Sequence, residues 1–117
     1  MPGLREVVQH LIKRDGVDAV LVVSADGLII DHAASPGVDT DAVAALLPAL
    51  TQSAKQVGEV SAGGRLTHAA FEFGNRQLVL SALGDDIYLA ILTSPDVNIG
   101  NLLYDLRRHQ PALASLI

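Results

Sequence analysis

The residues that could perform chemistry in this sequence are few, and their spacing does not bring them into one site. No two of the four histidines have the spacing of metal ligands on one element; they are His10, His32, His68 and His109. Asp85 and Asp86 stand between two apolar runs, where aspartate commonly bonds to the backbone of a turn. A turn also explains Ser24 and Asp26, beside which no histidine can be placed. We therefore expect no catalytic residue, no bound metal and no cofactor.

The sequence also lacks the usual means of binding phosphate groups. Gly58, Gly63 and Gly64 are not followed by the Gly-Lys-Ser/Thr of a phosphate-binding loop. The net charge of −5 includes no run of Lys or Arg that could neutralise consecutive phosphates, which argues against nucleic acid as a partner. The basic triplet 107–109 near a predicted helix end is explained by the helix dipole, with contact to an acidic partner as the alternative.

Cysteine content and the length of apolar runs bear on where the protein works. The sequence contains no cysteine, which excludes disulfides, thiol catalysis and cysteine-bound metals. Its longest apolar run, from Ala42 to Leu50, is far shorter than the roughly 20 residues of a membrane span. Arg5 and Glu6 interrupt the N-terminus before the apolar stretch of a signal peptide could form. We expect a soluble, cytoplasmic protein without membrane insertion.

Hydrophobic periodicity divides the chain into three helices and five strands within one domain, residues 1–117. The predicted order is a helix from 4 to about 15, strands 17–23 and 28–30, a helix 40–61, strands 66–73, 77–83 and 87–93, and a last helix. Ser94 is predicted to cap the last helix, with Pro95 at its first helical position and Pro111 at its end. The tail to Ile117 is expected to pack on the core. Runs of strands split by helices favour an α+β fold, with one antiparallel sheet and helices on both faces.

The long helix, which includes Ala42 to Val60, has little charge on the side opposite its apolar stripe. The stripe expected to face the sheet consists of Val43, Leu46, Leu47, Leu50, Ala54 and Val57. The opposite side consists of Ala45, Pro48, Ala49, Gln52, Lys55, Gln56 and Glu59. One explanation is an ordinary surface helix whose alanines reflect helix propensity. The explanation that we favour is that another polypeptide covers this side.

The strand predicted over 66–73 has the pattern of a sheet edge. Its alternation puts Phe71 and Phe73 on one side and His68 and Glu72 on the other. An exposed edge with phenylalanine side chains promotes aggregation unless it is paired or protected. Pairing with a second copy about a two-fold axis would bring two long helices side by side. We therefore expect a homodimer whose interface includes Leu66, His68, Ala70, Phe71, Glu72 and Phe73.

Four segments of the sequence resemble a known family in their order along the chain. They are "GVDAVLVVSADGLII" (16–30), the Ala/Leu-rich helix 41–58, "LVLSALGDDIYLAILTSP" (78–95) and "NIGNLLYDLRR" (98–108). Together they resemble the Roadblock/dynein light chain family, and within it the short bacterial MglB-like members. The hairpin with its Asp-Gly turn and the position of Gly100 are the most specific parts of this resemblance.

The resemblance implies a profilin-like αββαβββα domain with a five-stranded antiparallel sheet, which dimerises through its third strand and second helix. The dimer would join two identical chains or two related ones. Members of the family bind small Ras-like GTPases, as GTPase-activating partners or as scaffolds, and they are not enzymes alone. The positions that the resemblance assigns to GTPase binding or helix pairing are Ala45, Ala49, Gln52, Lys55 and Gln56.

Two alternative functions stay open at the level of the sequence. One is a ligand-sensing domain of the PAS or GAF type, which also places helices around an antiparallel sheet. Such a sensor needs a sizeable pocket with a few converging polar groups, whereas the predicted core is aliphatic and the chain has only two Phe and two Tyr. The other is a structural light-chain-like adaptor, which only identification of the partner separates from a GTPase regulator.

Overall fold

The structure is a computed structural model that describes residues 3–116. Its elements are α1 (Leu4–Ile12), β1 (Val17–Ser24), β2 (Ile29–Ala34), α2 (Thr40–Val60), β3 (His68–Glu72), β4 (Gln77–Ala82), β5 (Ile87–Thr93) and α3 (Ile99–Ala114). This order confirms the predicted αββαβββα arrangement. Ile117, which was expected to pack on the core, lies outside the described residues.

The five strands form one antiparallel sheet in the order β2-β1-β5-β4-β3. β1, β5 and β4 lie inside the sheet, and nearly all of their residues are buried because both of their sides are apolar. β3 forms one edge, as its alternating pattern predicts, and β2 forms the other. Only β2 and β3 therefore turn backbone hydrogen-bonding groups away from the sheet.

Helices cover both faces of the sheet because alternate strand residues belong to two separate cores. On one face, Val20 and Val22 of β1 pack with Leu102 of α3, and α1 completes this core. On the other face, Leu21 of β1 packs with Leu47 of α2. α1 lies against β1 and β2, α3 lies against β4, and α2 lies over β1 and β2. The helix α2 thus packs mainly on the β1–β2 part of the sheet, while the core beneath it extends to Ala69 and Phe71 of β3.

The start of α3 differs from its prediction. The helix begins at Ile99 and is capped by the side chain of Asn98, so the prediction that Ser94 is the cap is wrong. The carbonyl oxygens of Ser94 and Val97 accept hydrogen bonds from the side-chain amide of Gln77 (3.1 and 3.0 Å). This buried amide holds the segment between β5 and α3 as a turn, which delays the first helical residue.

Pro111 lies inside α3, so the prediction that it ends the helix is also wrong. Its missing N–H removes the usual helical donor to the carbonyl of Arg107, which is an exposed residue. The Pro111 carbonyl still accepts a hydrogen bond from the Ser115 N–H (3.2 Å). Continuation of the helix places Leu113 in the core, and burial of a leucine contributes about 1.5–3 kcal/mol. This burial offsets the cost of a proline in the last turns.

The turn between β1 and β2 is pressed against α2 at Gly27. The φ angle of this residue is 88°, and a Cβ atom there would lie 3.0 Å from the Ala44 carbonyl oxygen and 3.2 Å from Pro48 Cγ. Pro48 has no N–H to donate to that carbonyl, which stands four residues earlier in the helix. The close approach of this turn fixes where α2 sits over β1 and β2.

Replacing Gly27 by Ala is expected to destabilise the fold more than replacing Gly37 by Ala. Both glycines have a positive φ, 88° and 93°, at which alanine loses about 1–2 kcal/mol. At Gly37 nothing lies within 4 Å of an added Cβ. The additional loss at Gly27, on the order of 1 kcal/mol, would measure the crowding against α2. Urea unfolding of the two variants compares them, and equal losses would contradict the close contact.

Candidate protein–protein interface

The outward surface of α2 is wider and more apolar than the sequence predicts. Ala44, Leu47 and Thr51 form the buried line of the helix. Leu46 and Val57 are 71% and 63% exposed, so their predicted contact with the sheet is wrong. The residues predicted to face outward that are exposed are Ala45, Ala49, Gln52, Lys55, Gln56 and Glu59, while Pro48 is half-buried.

The helix is rotated because small side chains, and not the largest ones, lie beneath it. Ala44 lets the turn at Gly27 come close. Thr51 can be buried because its hydroxyl donates a hydrogen bond to the Leu47 carbonyl (3.0 Å), one turn earlier. A helical wheel places the largest apolar side chains against the sheet, so it cannot predict this rotation. Sequence reasoning therefore missed Leu46 as a surface residue. We call the exposed set Leu46, Ala49, Val57 and Val60 the apolar flank of α2.

Lys55 lies on a different side of α2 from the apolar flank. Its Nζ atom donates a hydrogen bond to the Asp85 carbonyl (3.2 Å) and lies 5.7 Å from the centre of the Tyr88 ring. These contacts direct Lys55 towards the turn between β4 and β5. The other four of the five positions assigned by resemblance have exposed side chains, and these side chains form no hydrogen bond within residues 3–116. They are Ala45, Ala49, Gln52 and Gln56.

β3 leaves a row of backbone groups unpaired along its outer side. The Phe73 N–H donates a hydrogen bond to the Arg76 carbonyl (2.8 Å), and the Thr67 carbonyl accepts one from the Ala82 N–H (2.9 Å). The odd-numbered residues of this segment therefore bond to the β4 side of the hairpin. Because antiparallel ladders alternate, the even-numbered residues turn their N–H and C=O groups away from β4. These residues are His68, Ala70 and Glu72. No strand among the described residues pairs with that side of β3.

The opposite edge of the sheet, β2, is protected by its own neighbours. The His32 N–H donates to the Asp31 carboxylate (2.8 Å), and the His32 carbonyl accepts a hydrogen bond from Arg5 of α1 (3.1 Å). Arg5 also forms an ion pair with Asp31 (2.6 Å). Local charges and occupied backbone groups of this kind discourage a further strand from pairing. β3 is therefore the edge better suited to bind another chain.

The side chains of β3 divide between the two faces of the sheet as predicted. Phe71 packs partly against the core under α2, and Phe73, just beyond the strand, is 58% exposed. His68 and Glu72 face the side of α3. Burial lowers the pKa of His68, and the positive charge of Arg107 on α3 lowers it further. Both effects favour the neutral form of the His68 imidazole.

One end of the apolar flank of α2 lies beside the residue that follows β3. Leu46 and Phe73 line the same open depression, about 460 Å³ in volume, between the start of α2 and the β3–β4 turn. Leu92 of β5 also lines it. Exposed apolar side chains beside unpaired strand backbone are the features of a surface that binds another polypeptide. The geometry therefore favours a protein–protein interface here.

A larger recess, about 590 Å³ in volume, lies between α1 and α3 on the other face. Leu102 and Leu106 line it, and the ion pair between Arg14 and Asp105 (2.8 Å) joins its two walls. Within residues 3–116, no three His, Asp or Glu side chains are grouped so that they could hold a metal ion. No helix in this part of the chain has the length and apolar character needed to cross a membrane.

Comparison with known proteins identifies the fold. Residues 4–93 match the Roadblock/LC7 domain family. No curated protein is detectably similar in sequence. The Roadblock/LC7 domain from Streptomyces avermitilis is 21% identical, with 96% of this chain and 95% of that chain covered and a TM-score of 0.82.

Two further structures similar to this chain are MglB proteins. MglB from Myxococcus xanthus is 16% identical over 95% of this chain and 91% of that chain, with a TM-score of 0.85. The gliding protein MglB from Thermus thermophilus is 15% identical over 99% and 93%, with a TM-score of 0.83. These structural similarities confirm the fold. The family match extends from α1 to the end of β5 and gives no support to a PAS- or GAF-type sensor. The chain therefore belongs to the Roadblock/LC7 domain family.

Proposed function

We propose that this protein is a self-associating regulatory adaptor that binds a small Ras-like GTPase. The observation that carries the proposal is the position of exposed Leu46, on the apolar flank of α2, beside exposed Phe73 at the end of the unpaired edge strand β3, where both line one depression. Family membership supports the adaptor class, because Roadblock/LC7 domains are generally non-catalytic regulators. One structural neighbour is an MglB protein with a tetrameric arrangement, which makes self-association a reasonable expectation for this chain.

Self-association would account both for the unpaired backbone groups of β3 and for the exposed apolar flank of α2. Pairing of β3 with β3 of a second copy gives partners to the outward backbone groups, and it places two apolar flanks close to each other. The residues proposed for this joint are Leu66, His68, Ala70, Phe71, Glu72 and Phe73, together with Leu46 of the flank. A chain of related sequence would serve equally as the partner, which makes a heterodimer the alternative assembly.

The GTPase-binding part of the proposal rests on the neutral outward positions of α2. Ala45 and Ala49 are small enough for another backbone to approach closely, and Gln52 and Gln56 offer amide groups for hydrogen bonds. Two such helices side by side would present these positions as one platform. Lys55 would contribute at its margin, since it is held against the β4–β5 turn.

If hydrolysis is stimulated, the arginines near β3 are poorly placed to act on the nucleotide. Arg65 is paired with Asp85, and Arg76 is paired with Asp18 (3.2 Å). An arginine supplied in trans must insert into the GTPase site, and these side chains are already bound within the chain. We infer that any stimulation comes from ordering of the catalytic groups of the GTPase itself.

Two measurements test the two parts of this proposal separately. Light scattering at micromolar concentration reports self-association, and a purely 12.3 kDa species would reject it. Titration against a small Ras-like GTPase from the same organism, loaded in turn with GDP and with a GTP analogue, reports partner binding. Binding that prefers one nucleotide state supports regulation, whereas no binding in either state would reject the GTPase as partner.

Ala49→Glu is expected to leave the fold intact and to weaken dimerisation or GTPase binding at least about tenfold. Ala49 is exposed in the isolated chain, so its replacement disturbs no core contact. A carboxylate covered by another polypeptide must lose its water without gaining a partner, and that penalty amounts to several kcal/mol at full burial. Ala112→Glu, on the exposed side of α3, is the matched control. If both variants assemble and bind like the unmodified protein, this side of α2 faces only solvent.

A further inference from the structure

The basic triplet 107–109 lies within α3 and not at its end. The helix dipole explained this triplet only as long as Pro111 was predicted to end the helix. The helix continues to Ala114, and its last turn contains no basic residue. The effect of a helix dipole on a charged side chain is confined to the last turn. The structure therefore favours the alternative explanation of the triplet, which is contact with an acidic partner.

Two residues of the triplet, Arg107 and Arg108, are exposed cations without an acidic neighbour. Neither forms an ion pair with any residue between 3 and 116. Every other arginine of the chain is paired with an aspartate; they are Arg5, Arg14, Arg65 and Arg76. The arginines of α3 are thus the ones whose charge is free to bind another molecule.

Tyr104 and Arg108 form a stacked pair on the outer side of α3. Their spacing of four residues places them on one side of the helix, and the Arg108 guanidinium lies 5.8 Å from the centre of the Tyr104 ring. Tyr104 is 62% exposed, whereas the other tyrosine, Tyr88, is 2% exposed. Stacking restrains the guanidinium and leaves its N–H groups free to bind a carboxylate through two hydrogen bonds. A restrained side chain loses less conformational freedom when it binds.

The outer side of α3 has no carboxylate of its own beside this pair. The other exposed residues on that side are Asn101, Pro111, Ala112 and Ser115. The one acidic residue of the helix, Asp105, is half-buried and is held by Arg14 (2.8 Å). We call the set Tyr104, Arg107 and Arg108 the basic surface of α3. It is a local concentration of positive charge on a chain whose net charge is −5.

A short acidic segment of a protein fits the basic surface of α3 better than an extended anionic surface does. A nucleic acid or an anionic membrane would bring many negative charges close to the rest of this acidic chain, which repels them. Two arginines are also few for a partner that is bound through consecutive phosphates. A short segment can contact the basic surface alone. Tyrosine and arginine are, moreover, the residue types in which the binding energy of protein interfaces is concentrated.

We propose that the basic surface of α3 binds an acidic segment of a partner protein, with a carboxylate of the partner on Arg108 and an apolar side chain of the partner against the Tyr104 ring. α3 and α2 cover opposite faces of the sheet, so this site and the candidate interface on α2 can be occupied at the same time. The proposal does not depend on self-association or on GTPase binding. It makes the chain an adaptor that connects two different partners.

Fluorescence anisotropy with a labelled peptide of glutamate and leucine tests the proposed charge preference. The leucines recur at helical spacing, and the control peptide has lysine in place of every glutamate. The acidic peptide is expected to bind at least about tenfold more tightly than the basic one. Its affinity should fall as ionic strength rises, because salt screens exposed charges. Equal affinities for the two peptides, or binding of neither, would overturn the proposal.

Arg108→Glu and Tyr104→Ala are each expected to weaken binding of the acidic peptide about tenfold, as is common for central arginine and tyrosine contacts. Both residues are exposed, so neither substitution removes core packing. Lys13→Glu is the matched control, because Lys13 is also exposed and unpaired among the described residues. It follows α1, which lies over β1 and β2, whereas α3 lies against β4. An equal loss in Lys13→Glu would mean that total charge attracts the peptide, and the site on α3 would be refuted.

NMR and vesicle binding identify the position of the site and the class of partner. Backbone amide signals of residues 104–108 should shift when the acidic peptide is added, while those along α2 should stay in place. Shifts along α2 and none on α3 would contradict the site. Phosphatidylserine vesicles are expected not to bind; vesicle binding that Arg108→Glu abolishes, without peptide binding, would replace the protein segment by a lipid surface and overturn the proposal.

The proposed function is tested separately with the same variant. Arg108→Glu is expected to leave self-association and binding of a Ras-like GTPase unchanged, because Arg108 lies on the face of the sheet opposite α2. If Arg108→Glu weakens GTPase binding about tenfold, the GTPase itself occupies α3, and the inference of a second partner is wrong. If the GTPase does not bind the unmodified protein while the acidic peptide does, the proposed function fails and the site on α3 is retained.

Discussion

Leu46→Glu is expected to abolish self-association at micromolar concentration while leaving each copy folded. Leu46 is 71% exposed in the isolated chain, so the substitution removes little core packing. In the proposed dimer the same side chain is covered, and burial of a leucine contributes about 1.5–3 kcal/mol. The symmetric joint contains the residue twice, and each new carboxylate must also lose water. Together these effects predict a rise in the dimer dissociation constant of about 100-fold or more.

Leu28→Glu is the matched control for Leu46→Glu. Leu28 is 68% exposed and lies in the turn before β2, at the opposite edge of the sheet from β3. Both variants replace a leucine by glutamate at a position of nearly the same exposed fraction. They differ only in the surface on which the new charge lies. Sedimentation velocity across a concentration series measures both. If Leu28→Glu loses the dimer and Leu46→Glu keeps it, the interface lies at the β2 edge, and the proposed interface is wrong.

The order of elements could be predicted from the sequence because each signal is local. The apolar runs of β1 and β5 and the alternation in β3 are read from neighbouring residues, and no long-range contact changes them. The end of α3 shows where local rules fail. Pro111 is a strong helix breaker in isolation, yet burial of Leu113 in the core outweighs it. That comparison depends on a distant part of the chain.

The candidate interface was only partly visible in the sequence for the same reason. The scarcity of charge along the outer side of α2 is a sequence signal, and it identified Ala45 and Ala49 as exposed. The rotation that exposes Leu46 depends on Gly27, which lets a turn from another part of the chain reach Ala44. Likewise, the sequence marks β3 as an edge, but only the hydrogen-bond pattern shows which of its backbone groups face outward.

Gln77→Leu is expected to destabilise the fold by about 2–3 kcal/mol, although the two side chains have similar volumes. Gln77 is 2% exposed, and its amide nitrogen donates to the Thr93 hydroxyl (3.2 Å) and to the carbonyls of Ser94 and Val97. Leucine would remove the side-chain donor to the Val97 carbonyl and leave the Ser94 carbonyl with only the Thr93 hydroxyl (3.0 Å), and an unsatisfied buried group loses about 1–3 kcal/mol. The same bonds hold the turn that precedes α3, so amide exchange at the start of α3 should become faster.

Ser81→Ala provides the contrast, because it removes a buried polar group that is already without a partner. Ser81 lies on β4 with Gln77 and is 1% exposed, and its hydroxyl forms no hydrogen bond to any residue between 3 and 116. Alanine there is expected to change the free energy of unfolding by less than about 1 kcal/mol, or to raise it. Urea unfolding of both variants at one protein concentration compares them. Equal losses would mean that burial alone, and not the satisfied amide of Gln77, determines what each position contributes.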